Sequence, residues 1–116
     1  MRMNNEMIWN HAEKLAKLIS EAYKNIQKNG QSWEKQIVDE NIKELNKKSN
    51  KRRFIAICTN LVKFAPKDDN LLRIMADVVS LNSETFAEDK DISFEMFITC
   101  FRFHLACHES EWSKED

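Results

Sequence analysis

The sequence predicts an all-α fold: residues 1–116 form a single helical domain, a compact bundle of about five helices. The C-terminal helix, over about 92–109, is its predicted central hub. Three observations carry this. Gly30 is the only glycine and Pro66 the only proline, where average usage would give roughly eight and six. Hairpins and phosphate-cradling loops both need glycine at positive φ, so sheet-rich and nucleotide-loop folds are disfavoured. Apolar residues make up 42% of the chain and charged ones 32%, which suffices for one core and is too apolar for a disordered chain. The apolar residues also recur with a helical period through most of the length.

The first predicted helix runs from Asn5 to Asn29. Ile8, Trp9, His11, Ala12, Leu15, Ala16, Leu18, Ile19, Ala22, Tyr23 and Ile26 share one arc, and Glu6, Glu13, Lys14, Lys17 and Lys24 fill the other. Gly30 follows where a C-terminal cap belongs. A second helix starts at Ser32 as N-cap and runs to Lys48. Its apolar side is Trp33, Ile37, Val38, Ile42 and Leu45, broken by Glu34, Asn41 and Glu44, so it is expected at the periphery. Asp39–Lys43 and Glu44–Lys48 have the spacing of supporting ion pairs. A third helix covers Lys51–Ala65 and stops at Pro66. A fourth, capped by Asp68 or Asp69, carries Leu71, Leu72, Ile74, Met75, Val78, Val79 and Leu81 on one face. An acidic connection follows, from Asn82 to Asp91.

The last helix is apolar over roughly 240° of its circumference, which is the basis for its predicted hub position. Phe97, Cys100 and His104 are expected to be buried at its centre. Cys58, Cys100 and Cys107 are odd in number and lie in apolar runs, which fits reduced thiols in a cytosol better than a disulfide framework. Met1–Arg2–Met3 leads into a polar and then amphipathic stretch, with no apolar core for a signal peptide and no membrane span.

Four groups of residues could carry chemistry. Cys100, His104, Cys107 and His108 form a stripe, and i,i+4 spacing suits a metal ion. Because the stripe spans about 12 Å, further ligands would have to come from Cys58 or His11. Arg102 and His108, with five residues between them, resemble the Arg-x(4–6)-His motif of HEPN ribonucleases, which are helical bundles of this size. That family usually has a polar residue after the arginine, where this chain has Phe103, and on an ideal helix the two side chains lie about 120° apart. Asp89 to Phe97 resembles the exit half of an EF-hand, but Lys90 stands at the turn glycine and Met96 at the bidentate glutamate. Calcium binding of that kind is therefore not expected. Lys43, Lys47, Lys48, Lys51, Arg52 and Arg53 lie within eleven residues and are opposed by Glu44 alone, a basic corner that could contact phosphates.

The formal net charge of −1 gives no global pull toward nucleic acid or membrane. With no catalytic motif, metal set or cofactor fingerprint, the expected role is non-enzymatic and cofactor-free. The expectation is a cytoplasmic module that binds another protein, as an adaptor, inhibitor or immunity protein does. Trp33 and Trp112 are the candidate contact residues, because tryptophan buries much area with little entropy to lose. The alternative is a nucleic-acid-binding subunit that uses the basic corner.

Overall fold

Four helices make up the described fold: α1 (Asn5–Asn29), α2 (Ser32–Leu45), α3 (Lys51–Val62) and α4 (Ile92–Trp112). The computed structural model describes residues 5–47, 51–66, 73 and 92–112. The predicted helix over 68–81, Arg73 apart, lies outside the described residues, as do the acidic connection after it and Lys48. No strand occurs among the described residues, so the all-α expectation holds, and four helices are found among those residues.

The α1 helix keeps the bounds its periodicity predicts. Its inner side is Ile8, Ala12, Leu15, Ala16, Leu18, Ile19, Ala22 and Ile26, all buried. Ser20 is buried beside them, although its polarity gives no apolar signal. Small side chains at Ala12, Ala16 and Ala22 let neighbouring helices come close. Among the described elements the longest interface is between α1 and α4, and α1 also packs on α2 and α3. Contacts run in the same order along α1 and α4. Trp9 meets Phe103 and His104, while Ser20 and Tyr23 meet Trp112.

Gly30 joins α1 to α2 without a positive φ. Its N–H donates to the Ile26 carbonyl at 2.8 Å, completing one more helical turn. A Cβ there would lie 2.6 Å from that same carbonyl oxygen and 2.7 Å from the Ile26 Cγ2. Glycine is thus required for close approach rather than for left-handed backbone. Gly30→Ala is expected to lower stability by about 1–3 kcal/mol, the usual cost of overpacking, as read by chemical denaturation.

The N-cap of α2 is Gln31, one residue earlier than expected. Its N–H donates to the Glu34 carboxylate at 2.9 Å, the return half of a capping box. Val38, Ile42 and Leu45 face the core, whereas Trp33 and Ile37 stay outside. The helix ends at Leu45 with Asn46 as C-cap, short of Lys48. Lys43 forms no ion pair with Asp39 among the described residues; Glu44 instead pairs across to Arg53 of α3. The α3 helix ends at Val62, and Phe64 and Ala65 tighten its end through i→i+3 bonds to Leu61 and Val62. The Asn25 amide of α1 donates to the Phe64 carbonyl at 2.8 Å and ties that turn to the bundle.

The α4 helix corrects the expectation that Cys100 and His104 are buried with Phe97. Its buried face is Phe94, Phe97, Phe101 and Leu105. Phe54 of α3 sits edge-on to the first three of these, at 6.1, 6.1 and 5.2 Å between ring centroids. Cys100 and His104 are only partly buried, and Cys107, Met96 and Phe103 are exposed. The helix carries two apolar rows about 135° apart at 100° per residue. Phe94–Phe97–Phe101–Leu105 turns inward, and Met96–Cys100–Phe103–Cys107 turns outward. A wide apolar arc gives no way to choose between two such rows. Among the described elements α4 packs most extensively on α1, meets α3 through Phe54 and reaches the end of α2 through Arg102.

Candidate interaction surface

Among the described residues the exposed large apolar side chains are Trp9, Trp33, Ile37, Met96 and Phe103. Met96 lies two turns before Phe103 on α4, and the other four fall in two places. Trp9 and Phe103, from α1 and α4, are 42% and 56% exposed with ring centroids 5.7 Å apart. His104 packs against both, its ring 4.3 Å from Trp9 and 5.5 Å from Phe103. Its Nε2 is buried and has no hydrogen-bond partner among the described residues. Since α1 and α4 share the longest interface, this aromatic group stands on the best-supported part of the fold. The second place is the outer side of α2, where Trp33 is 57% exposed with Ile37 one turn on. The Trp33 indole N–H donates to the Gln31 side-chain oxygen at 2.8 Å, which fixes the ring's direction.

Trp112 is placed differently from the charged tail its neighbours suggest. Helix α4 continues three residues past Glu109, so Trp112 is helical. Its ring stacks on Tyr23 at 3.9 Å with 15° between planes. Its N–H donates to the Ser20 hydroxyl at 2.9 Å. This side chain closes the α1–α4 interface from within the chain, and it gives buried Ser20 its partner. Sequence reasoning missed Trp9 and Phe103 because both sit on arcs otherwise made of core residues. The one available signal was the outward row of α4, which repeats at i, i+4, i+7 and i+11, a helix-pairing spacing.

The remaining candidates do not converge. Arg102 donates from Nη2 to the Lys47 carbonyl at 2.7 Å, just past the end of α2. His108 faces α1, where Glu21 and Lys24 are among its charged neighbours. The pair that resembles a ribonuclease motif is therefore engaged on two different helices. No group of three or more potential metal ligands gathers among the described residues. Burial pushes the Cys58 thiol far up, so it stays protonated. Of the EF-hand-like stretch, residues 89–91 lie outside the described residues and Ile92 opens α4.

Burial pulls the His108 pKa below its ordinary 6.5, with Glu111 opposing and Lys24 and His104 assisting. Below that value the unfolded chain binds the proton more readily than the folded one, so stability falls as pH drops. Thermal melts at pH 7.5 and 5.5 are expected to show a lower Tm at the acid end, and His108→Gln is expected to reduce the difference.

Among the described residues no helix is long and apolar enough to cross a membrane. No protein-family model, curated protein or solved structure matches the chain.

Proposed function

We propose that the protein is a binding module that docks another protein on the aromatic group formed by Trp9 and Phe103. The single observation behind this reading is that two large aromatic rings from different helices touch each other while both remain substantially exposed. Exposing that much aromatic surface is unfavourable in an isolated chain, and grouped aromatics are what interface hot spots use. Helices α1 and α4 hold the rings in place, so little order has to be imposed on binding. Trp33 and Ile37 form a second, smaller apolar point of the same kind. Adaptor and inhibitor roles both fit such a surface.

The test is partner capture from cells that express the protein, using the wild type, Phe103→Ser, and Trp33→Ser with Ile37→Ser. Because Phe103 is exposed, Phe103→Ser is expected to change stability by less than about 1 kcal/mol. It is expected to abolish capture of whatever protein the wild type retains. Capture that survives Phe103→Ser but is lost in the Trp33 and Ile37 variant moves the site to α2. Capture unchanged in both contradicts the reading.

A further inference from the structure

The basic corner gains a member that the sequence does not reveal. Arg102 of α4, 55 positions from Lys47, reaches the end of α2 and bonds its carbonyl. At the same corner Arg53 at the start of α3 pairs with Glu44. Two acceptors that would oppose the cluster, the Lys47 carbonyl just past α2 and the Glu44 carboxylate, are thus each met by an arginine. The Nε of Arg102 is buried with no acceptor among the described residues. Lys43, Lys47 and Arg52 remain exposed with no ion pair among the described residues. The first turn of α3 holds no acidic residue, and its helix dipole favours an anion.

We propose that this corner binds the phosphodiester backbone of a nucleic acid, with Lys43, Lys47 and Arg52 contacting phosphate oxygens. Arg102 and Arg53 act as positioning residues. One holds the end of α2 against α4, the other holds the start of α3 against α2, and together they fix the spacing of the three free cations. No aromatic side chain is interleaved among these cations, so base stacking contributes nothing and recognition is of backbone charge. The site uses none of the residues of the proposed protein surface, so the two readings fail separately.

The probes are a short fluorescein-labelled RNA single strand and a DNA duplex, followed by fluorescence anisotropy. Three phosphate contacts predict that affinity falls about 40-fold for the duplex and about 20-fold for the single strand between about 50 and 200 mM salt. Lys43→Glu with Lys47→Glu and Arg52→Glu is expected to abolish binding. The milder Lys43→Ala with Lys47→Ala is expected to weaken it about tenfold or more at low salt and to flatten the salt slope by about two. Phe103→Ser is expected to bind both probes as the wild type does. The proposal is overturned if the wild type binds neither probe at low salt, if binding is insensitive to salt, or if the alanine variant, with unchanged Tm, binds as well as the wild type.

Discussion

Replacing Phe101 with alanine is expected to cost about 3–5 kcal/mol, enough to remove a third or more of a typical small domain's stability. Phe101 has no exposed surface and meets Phe54 edge-on at 5.2 Å, joining α3 to α4. Removing the ring leaves a cavity at that join and forfeits the aromatic pairing, worth roughly 1 kcal/mol beyond the area buried. Phe103→Ala, two positions away, is expected to cost less than about 1 kcal/mol, because that ring is mostly in solvent. Urea denaturation of the two variants side by side measures the contrast. Equal losses would mean that α4 is turned differently about its axis.

The second large effect is expected at Trp112. Trp112→Ala loses the Tyr23 stacking and leaves the buried Ser20 hydroxyl without its donor, for about 2–4 kcal/mol in all. Trp112→Phe keeps a ring on Tyr23 and loses only the indole N–H, so about 1 kcal/mol is expected. Denaturation of both variants, with the wild type beside them, reads the two losses. Were Trp112 instead only a partner-contact residue, both substitutions would leave stability unchanged and affect capture alone.

The contrast between α1 and α4 explains how far the sequence could be read. In α1 a single apolar arc faces a continuous charged one, and Gly30 closes it, so pattern alone finds both bounds and, Trp9 apart, the inward face. In α4 Met96, Cys100, Phe103 and Cys107 match the inner row in apolarity. Neither the axis rotation nor the partial exposure of His104 can then be deduced locally. The start of α2 shifts by one residue because Gln31 and Glu34 make a capping box that competes with the stronger prior for Ser32.

Trp112 and Arg102 were illegible for a different reason. Their partners, Ser20 and the Lys47 carbonyl, lie 92 and 55 positions away, and nothing near either residue announces the contact. Surrounded by Glu109, Glu111 and Lys114, Trp112 reads as a tail residue, although it closes the longest interface. The basic corner was visible as a charge run. That Arg53 and Arg102 are committed internally, leaving Lys43, Lys47 and Arg52, depends on how three helices meet.

The proposed binding role rests on the Trp9–Phe103 surface, and photocrosslinking tests it most directly. Benzoyl-phenylalanine at position 103 keeps an aromatic ring there, and the same residue at exposed Thr59 of α3 serves as control. Irradiation in cells is expected to give a discrete covalent protein adduct from position 103, absent from position 59 and lost when Trp9→Ser is added. No adduct above the control, or an adduct indifferent to Trp9→Ser, would contradict the account.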